Sequence, residues 1–321
     1  MDVSLDFSGT TCLVTGGGGF IGSHLAERLL DEGAAVRVLD DFSTGRRENL
    51  AAFAGDLELL EDTIVDPAVC RRACEGVDFV FHEAAIPSVA RSVQDPLATH
   101  AACATGTLNM LHAAAAAGVR RFVYAGSSSA YGNTPTLPKQ EEMTPRARSP
   151  YAVAKLTGES YAAVFPDLFD LDTVTLRYFN IFGPRQDPAS RYSAVIPLFI
   201  THALDGTAPM IHGDGGQTRD FTYIENVVQA NFRACFAPAE GVSGQVFNVG
   251  CGERISVKRL WDEIRELVGA EVEADHGPAR PGDVRDSLAD LTRARERLGY
   301  SVAVPLREGL RRTVDWFQAA R

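Results

Sequence analysis

The sequence has no long hydrophobic run and little positive charge. Among its 321 residues, no apolar stretch approaches the ~20 residues that a membrane-spanning helix needs. Lysine and arginine number 31 against 42 aspartates and glutamates, which gives a formal net charge of -11. This acidic balance excludes the basic surface that attracts nucleic acids or anionic membranes. A partner that carries phosphate must therefore be held by local contacts.

Cysteines are few, and they form no metal-ligand spacing, so no metal site is predicted. Cys70 and Cys74 are four residues apart on a predicted helix, and we interpret them as packing residues rather than zinc ligands. The N-terminus lacks a basic segment followed by an apolar one, so no secretory signal is expected. We expect a cytoplasmic protein with reduced thiols at positions 12, 70, 74, 103, 235 and 251.

Apolar residues make up 45% of the chain, and they occur in short strands that alternate with amphipathic helices. Such alternation predicts an α/β fold in which helices cover both faces of a parallel sheet. We expect a Rossmann doubly wound sheet with a smaller, interleaved C-terminal domain that binds the substrate. The first six predicted strands are 10–16, 35–40, 57–63, 78–84, 121–128 and 172–180. The predicted helices between them are 20–33, 46–54, 67–75, 95–117 and 150–165.

The pattern loosens after Asn180, where glycine, proline and polar residues become frequent. The C-terminal part contains helices of its own, such as 256–268, and 245–250 reads as one more strand that returns to the main sheet. The sequence therefore predicts two interleaved domains. The main domain comprises 1–180 plus about 219–250, and the smaller one about 181–218 plus 251–321.

A glycine-rich segment, LVTGGGGFIGSHL, directly follows the first predicted strand. Gly16, Gly19 and Gly22 form a G-x-x-G-x-x-G pattern, and a backbone without side chains can approach a pyrophosphate closely. The helix that begins at Phe20 and Ile21 would bind the pyrophosphate through its free N–H groups. This pattern favours a dinucleotide cofactor.

An acidic residue closes the second predicted strand. Asp40 lies 18 residues beyond Gly22, where a carboxylate accepts hydrogen bonds from ribose hydroxyls. Because a carboxylate there repels a 2′-phosphate, the sequence predicts NAD rather than NADP. The alternative, an ordinary tight turn and a surface aspartate, is disfavoured by the order of strand, glycines, helix and acid.

A second motif brings a phenol and an amine together. Tyr151 and Lys155 lie four residues apart in SPYAVAKLTGE, so both side chains are expected on one helix face. A lysine ammonium there would lower the pKa of the phenol and make the tyrosinate a base for a sugar hydroxyl. The segment AGSSSAYG ends the fifth strand and brings Ser127, Ser128 and Ser129 to the same sheet edge.

Together these motifs resemble the extended short-chain dehydrogenase/reductase family, specifically its nucleotide-sugar branch of 4-epimerases and dehydratases. The resemblance implies an NAD-dependent enzyme that acts on a UDP-sugar and forms a homodimer through the helices at 95–117 and 150–165. It implies that Tyr151 takes the O4 proton of the sugar with help from Lys155 and Ser127. The resemblance covers nearly the whole chain through VTGGGGFIGSHL, AAIPSV, GSSSAYG, SPYAVAK, LRYFNIFGPRQDP, GDGGQTRDFTYI and RPGDVRDSLAD.

The resemblance also implies which residues contact each ligand. The residues implied for NAD, besides the glycine segment, Asp40, Tyr151 and Lys155, are Asp62, Thr63, Ala84, Ala85 and Phe179. The residues implied for the nucleotide sugar are Ser128, Ser129, Asn180, Val195, Arg219, Arg280, Asp283 and Ser287. Arginines suit this role because a guanidinium can hold two phosphate oxygens in a bidentate fork.

One of these positions bears on the identity of the sugar. In the family, the residue at Ser287 abuts the 2-substituent of the sugar, and a bulky side chain there would exclude an N-acetyl group. Serine leaves room for that group. The resemblance therefore implies UDP-GlcNAc or a close relative as the substrate.

Two residues depart from the family pattern. Glu83 follows His82 where the epimerases have leucine or phenylalanine, and Cys103 stands where the family has an asparagine near the nicotinamide. Both can move a proton, and an epimerase has no use for an extra acid. A dehydratase has such a use, because loss of the C5 proton and the C6 hydroxyl requires a base and an acid.

The usual 4,6-dehydratases carry these acids at the positions of Ser128 and Ser129 here. Glu83 and Cys103 would supply them from another side of the sugar, a combination that resembles the UDP-GlcNAc 5,6-dehydratases of tunicamycin biosynthesis, an antibiotic pathway. We therefore expect 5,6-dehydration, with Glu83 and Cys103 sharing the proton transfers. An apolar pocket would raise the pKa of a carboxylic acid, which suits Glu83 to protonating the leaving water.

Three alternatives remain open from the sequence. If neither takes part in chemistry, Glu83 would be a structural residue that pairs with a nearby arginine or a backbone amide, and Cys103 would be a small core residue. The enzyme would then be a UDP-GlcNAc or UDP-glucose 4-epimerase. A catalytically silent nucleotide-sugar-binding protein is the third alternative, which the presence of both Tyr151 and Lys155 disfavours.

Overall fold

The computed structural model of the chain describes residues 5–187, 194–278 and 285–321. Its strands, in chain order, are β1 (Thr11–Thr15), β2 (Ala35–Leu39), β3 (Leu57–Leu60), β4 (Phe79–His82), β5 (Arg121–Ser127), β6 (Thr173–Tyr178), β7 (Ile181–Phe182), β8 (Met210–His212), β9 (Thr218–Arg219), β10 (Thr222–Tyr223), β11 (Gln245–Val249), β12 (Ile255–Ser256) and β13 (Asp275–Gly277). Seven of them form one sheet in the order β11-β6-β5-β4-β1-β2-β3.

Every neighbouring pair in this sheet is parallel. The strand order reverses at β1, which pairs with β2 on one side and with β4 on the other. In open parallel sheets, such a reversal leaves a crevice outside the carboxyl ends of the strands, where ligands bind. The predicted α/β doubly wound sheet is confirmed, and its crevice lies beside the ends of β1 and β4.

Eleven α-helices occur in the described residues: α1 (Phe20–Asp31), α2 (Pro67–Cys74), α3 (Val89–Gln94), α4 (Pro96–His100), α5 (Gly106–Ala117), α6 (Pro150–Phe169), α7 (Val195–Asp205), α8 (Ile224–Phe236), α9 (Val257–Val268), α10 (Thr292–Leu298) and α11 (Leu306–Ala319). Four of them, α1, α2, α6 and α9, agree in position with predicted helices, and α5 forms the second half of the helix predicted over 95–117. The helix α6 starts where Ser149 accepts a hydrogen bond from the Ala152 amide and Pro150 occupies the first turn.

Two predicted helices differ in the structure. The segment predicted as a helix over 46–54 forms two short 3₁₀ turns, Arg47–Asn49 and Ala51–Phe53. It is tied to the glycine segment, because the Arg46 amide and the Asn49 side chain both donate to the Gly18 carbonyl. The helix predicted over 95–117 is divided by a π-helical turn, Ala101–Thr105, a feature that often accompanies functional sites.

Two apolar layers sandwich the sheet, because side chains alternate between its faces along each strand. In β1, Cys12 and Val14 pack in one layer with α1 and α8, whereas Leu13 packs in the other with α2 and α5. Burial on both faces explains why these strands are apolar almost throughout. In the described part of the chain, no helix has the length and apolar character that crossing a membrane requires.

Candidate active site

A cavity of about 1200 Å³ opens at the carboxyl ends of the strands. The ends of β1 and β4 meet at its floor, where a Cβ on Gly16 would lie 2.7 Å from the Ala84 amide nitrogen. The cavity is larger than the few hundred to about 1,000 Å³ typical of a single small ligand. It is large enough for a dinucleotide together with a second ligand.

The cavity brings together most of the residues that the sequence singled out. Those that line it are Gly16, Gly19, Phe20, Ile21, Gly22, Asp40, Asp62, Thr63, Glu83, Ala84, Ala85, Ser127, Ser128, Ser129, Tyr151, Phe179, Asn180, Arg219 and Ser287. Three predicted residues do not line it: Lys155, Cys103 and Val195. Val195 begins α7, one residue beyond the lining residue Ala194. Arg280 and Asp283 lie outside the described residues.

The glycine segment forms a cradle in which side chains would not fit. A Cβ on Gly22 would lie 2.2 Å from the Gly16 carbonyl oxygen, closer than any real contact. Gly16 has φ +70°, a left-handed conformation that favours glycine. No side chain caps the N-terminus of α1. The free N–H groups of its first turn therefore fit the pyrophosphate of NAD.

Asp40 closes the cradle on the other side. Its two carboxylate oxygens accept hydrogen bonds from the amides of Gly18, at 2.8 Å, and Phe42, at 2.7 Å. Burial raises the pKa of Asp40, and these two amide bonds lower it. Each carboxylate oxygen can accept more than one hydrogen bond, so Asp40 retains capacity for ribose hydroxyls.

Tyr151 is in direct contact with Ser127 at the edge of the cavity. A hydrogen bond from Ser127 lowers the pKa of the Tyr151 phenol, but burial raises it by more. The expectation that Lys155 lowers this pKa is not met in the structure, where desolvation of the phenol dominates. Ser127 also lies 2.8 Å from the Ser129 hydroxyl, which links the phenol to a second hydroxyl on the cavity wall.

Lys155 lies beneath the cavity rather than on its wall, with 4% of its surface exposed. Its Nζ is 4.5 Å from the centre of the Tyr124 ring, a cation–π contact. Burial lowers the pKa of Lys155, and the nearby Cys103, Glu83 and Glu159 raise it. On balance the pKa of Lys155 lies below the ordinary value of a lysine, because burial disfavours its charged form.

Glu83 lines the cavity directly after β4 and next to Ala84. Its Oε1 accepts a hydrogen bond from the Tyr178 phenol at 2.8 Å. Burial raises the pKa of Glu83 to about 7, although the bond from Tyr178 and the charge of Lys155 lower it. Among the described residues Glu83 forms no salt bridge, so the ion-pair interpretation of this residue is not supported. Its carboxyl group titrates near neutral pH inside the cavity, as a proton-transfer group requires.

Cys103 differs from Glu83 in its access to the cavity. It lies in the π-helical turn with no exposed surface and packs against Ala85, Ala154 and Tyr151. Burial raises the pKa of its thiol, which the charge of Lys155 and the Ile86 amide lower by less. The predicted role of Cys103 in proton transfer to the sugar is therefore not supported, because its thiol is shielded and remains protonated.

Several residues predicted for the nucleotide sugar line the same cavity, among them Asn180, Arg219 and Ser287. Asn180 has φ 36°, a strained conformation for a residue other than glycine, and its side chain donates to the Asp220 carbonyl at 2.9 Å. Arg219 donates to the carbonyls of Thr218 and Arg285. Ser287 is 9% exposed and lines the cavity.

The residues of the cavity wall that sequence reasoning missed include Tyr178, Lys139 and Arg148. Tyr178 ends β6, and its position at a carboxyl end was a usable signal. Lys139 has no such signal, because its loop is fixed only by tertiary contacts. Its Nζ donates to the carbonyls of Thr134 and Thr136, and its backbone bonds to the chain next to Ser287.

The comparisons with known proteins agree with this geometry. Residues 12–250 match the model of the NAD dependent epimerase/dehydratase family. A UDP-glucose 4-epimerase of Mycolicibacterium smegmatis is 42% identical over 95% of this chain and 98% of the relative. The chain therefore belongs to the NAD dependent epimerase/dehydratase family, and NAD is its cofactor.

Solved structures in the same family have the same fold. A UDP-N-acetylglucosamine 4-epimerase of Methanobrevibacter ruminantium, in complex with UDP-N-acetylmuramic acid, superposes with a TM-score of 0.92 at 35% identity, over 98% of this chain and 100% of that chain. A dTDP-glucose 4,6-dehydratase of Streptomyces venezuelae with NAD bound has a TM-score of 0.89 at 30% identity, over 97% of this chain and 98% of that chain. Epimerases and a dehydratase are thus both similar to this chain.

Proposed function

We propose that the enzyme oxidises the C4 hydroxyl of a UDP-hexose, transforms the resulting ketone and reduces it again. The family and the arrangement of the cavity support this proposal, since the cradle for NAD and Tyr151 open onto the same space. NAD supplies the hydride acceptor for the oxidation and the hydride donor for the reduction, so it is regenerated in each cycle.

Tyr151 takes the proton from the O4 hydroxyl in this scheme. Ser127 would support the tyrosinate through its hydrogen bond, and Lys155 lies buried one turn further along α6. Because burial raises the pKa of Tyr151, proton transfer needs a positive charge near the phenol, which NAD would supply when bound.

In this proposal the ketone loses water across C5 and C6. The observation that supports elimination is the carboxyl group of Glu83 in the cavity wall. A ketone at C4 makes the C5 proton acidic, so a carboxylate can remove it. A pKa of about 7 leaves Glu83 partly ionised at neutral pH, which suits both a base and an acid. Reduction at C4 then leaves a UDP-hexose with a double bond between C5 and C6.

A single carboxyl group is sufficient for this elimination. Glu83 takes the C5 proton, the C6–O bond breaks as the C5–C6 double bond forms, and the same proton goes to the departing hydroxyl as water. Atoms and charge balance without a second acid. This scheme replaces the expected pairing of Glu83 with Cys103, whose thiol is shielded from the cavity.

A second candidate is a UDP-GlcNAc or UDP-glucose 4-epimerase. The names of the relatives favour it over dehydration, since the relative from M. smegmatis and the structure from M. ruminantium are both 4-epimerases. An epimerase needs only Tyr151, the cofactor and room for the ketone to rotate. In that case Glu83 would be a structural residue held by Tyr178.

We propose UDP-GlcNAc as the substrate. The small side chain of Ser287 leaves space beside the cavity for an N-acetyl group. The structural relative from M. ruminantium is a UDP-N-acetylglucosamine 4-epimerase and binds a UDP-sugar of this type. Arg219 and Asn180, which lie at the boundaries of the proposed main domain, would contact the nucleotide part.

Mass spectrometry of the product from UDP-GlcNAc separates the candidates. Dehydration predicts loss of the mass of one water molecule, and epimerisation predicts an isomer of equal mass. Glu83→Gln should abolish water loss while NAD binding remains. Glu141→Gln is the matched control, because Glu141 is another partly buried carboxylate whose pKa is raised by burial and which lies outside the cavity. Full activity of Glu83→Gln would contradict the proposal.

We also propose a homodimer formed through α4 and α6. Their outer faces carry exposed apolar side chains, among them Leu97, which is 81% exposed, and Val153 and Leu168. Such a patch on a monomer indicates a protein interface. Sedimentation should give a dimer for the wild type and a monomer for Leu97→Glu combined with Val153→Glu. A monomeric wild type would contradict this assembly.

A further inference from the structure

A chain of hydrogen bonds leads from the protein core to Glu83. Asn231 lies in α8 with no exposed surface, and its Nδ2 donates to the Val227 carbonyl at 2.9 Å. The same Nδ2 donates to the Tyr178 hydroxyl oxygen at 2.8 Å. The Tyr178 hydroxyl in turn donates to Glu83 Oε1 at 2.8 Å. The chain therefore begins at a backbone carbonyl and ends at the carboxyl group in the cavity.

The direction of this chain is fixed by its donors. An amide nitrogen donates only, so the Asn231 Nδ2 makes Tyr178 accept there. The Tyr178 hydroxyl has one hydrogen, and its distance to Glu83 Oε1 is 2.8 Å against 3.2 Å to Asn231 Oδ1. The hydrogen is thus directed at Glu83. Among the described residues, Oε2 of Glu83 has no such partner.

We infer that Tyr178 and Asn231 are positioning residues for Glu83, holding its Oε1 so that its Oε2 exchanges the proton with the sugar. This inference rests on the proposed function. A carboxyl group held by one oxygen keeps a fixed orientation while the other oxygen loses and regains its proton. The two residues touch neither reacting carbon in this account, and they act only through Glu83.

Other ionisable groups also face this carboxyl group. Lys155 and Tyr151 belong to α6, and the charge of Lys155 lowers the pKa of Glu83. Cys103 faces Lys155 from the π-helical turn. His82 precedes Glu83 but bonds to Thr15 and Thr107, and burial lowers its pKa to about 3, so it stays neutral. Tyr178, by contrast, donates a hydrogen bond directly to Glu83.

Removing the hydrogen bond that Tyr178 donates should raise the pKa of Glu83. The bond from Tyr178 stabilises the carboxylate, so its loss raises the pKa. Tyr178→Phe removes the hydroxyl alone. Asn231→Asp keeps the shape of the side chain but turns the Nδ2 donor into an acceptor, which draws the Tyr178 hydrogen away from Glu83. Both variants should therefore shift the pKa of Glu83 upwards.

The experiment is a titration of the Glu83 carboxyl group by infrared difference spectroscopy, with Glu83→Gln subtracted to assign the band. Tyr178→Phe and Asn231→Asp should each raise the midpoint of the Glu83 titration. The limb of the pH profile of kcat that reports Glu83 should shift to higher pH by the same amount. The kcat should fall up to about 100-fold with little change in KM, as expected when a reacting group is misplaced. Tyr300→Phe is the matched control, since Tyr300 is a buried phenol that donates to the Gly250 carbonyl elsewhere.

Two outcomes separate the inference from the proposed function. Suppose that the wild type forms the dehydrated product, but that the Glu83 midpoint and the pH profile of kcat are unchanged in both variants. This result overturns the positioning role alone. A wild-type enzyme that forms only an isomer overturns the proposed function, and the positioning role with it. A loss of kcat accompanied by an upward midpoint in both variants, absent from Tyr300→Phe, supports the inference.

Discussion

Tyr178 donates a hydrogen bond to Glu83 across the ends of β6 and β4, at a distance of 2.8 Å. The strand β5 lies between these two strands in the sheet. The contact therefore joins residues that are 95 positions apart in the chain and that meet only at the edge of the folded sheet. It lies in the part of the cavity where the proposed chemistry at Glu83 would take place.

Tyr151→Phe should remove nearly all activity. The phenol is the group proposed to take the O4 proton, and loss of such a group typically lowers kcat by about 10²–10⁴-fold. KM for UDP-GlcNAc and the NAD content should change little, because the ring remains in place. Tyr161→Phe on the same helix is the control, since Tyr161 is exposed on the outer face. Equal kcat in the two variants would remove Tyr151 from the proposed mechanism.

Stability should depend on pH through Glu83. Its pKa is about 7 in the folded protein against the ordinary glutamate value of 4.5, so between these pH values the folded state binds a proton that the unfolded state releases. Glu83 therefore costs stability progressively as the pH rises from about 4.5 to about 7. The Glu83→Gln variant lacks this cost.

Urea unfolding of the wild type and Glu83→Gln at pH 5 and pH 8 measures this cost. Between pH 5 and pH 8, the free energy of unfolding of the wild type should fall by on the order of 1–3 kcal/mol relative to that of the variant. The same difference at both pH values would mean that the pKa of Glu83 is not raised.

Gly22→Ala should weaken NAD binding. The added Cβ would meet the Gly16 carbonyl oxygen at 2.2 Å, so the cradle has to open. Strain from such overpacking is about 1–3 kcal/mol, which corresponds to an increase in Kd of about 10- to 100-fold. Gly55→Ala is the control, because a Cβ on Gly55 meets nothing within 4 Å. Unchanged NAD affinity in Gly22→Ala would contradict the cradle.

Ser287→Tyr should change the preference among sugars. A large ring would fill the space proposed for the N-acetyl group, so kcat/KM for UDP-GlcNAc should fall about 10- to 100-fold relative to UDP-glucose. Competition between the two substrates measures this ratio. Ser301→Tyr is the control, since Ser301 is exposed and away from the cavity. An unchanged ratio would remove Ser287 from the specificity of the site.

Much of the fold follows from local patterns in the sequence. The seven strands of the main sheet are short, largely apolar runs, and all but the edge strand β3 are mostly buried, so their positions could be predicted. The glycine segment and Asp40 could be predicted too. A backbone that approaches a pyrophosphate closely requires glycines at a fixed spacing, followed by an acid at the end of the second strand. The turns at Arg47–Asn49 could not, since they depend on the Gly18 carbonyl across the loop.

The sequence was less informative about the electrostatics of the site. The spacing of Tyr151 and Lys155 predicts a shared helix face, but it does not report that burial outweighs the charge of Lys155. Likewise, the position of Cys103 in the chain suggests a place near the cofactor, whereas its access depends on packing against Ala85 and Ala154. Tyr178 and Asn231 become relevant to Glu83 only through tertiary contacts.

The most direct test of the central claim is the mass of the product that the wild-type enzyme and NAD form from UDP-GlcNAc. The account predicts a product lighter by one water molecule, with the hydrogen at C5 lost and a double bond between C5 and C6. The same measurement on Glu83→Gln should find no such product. A product of unchanged mass with the galacto configuration would contradict the account and identify the enzyme as a 4-epimerase.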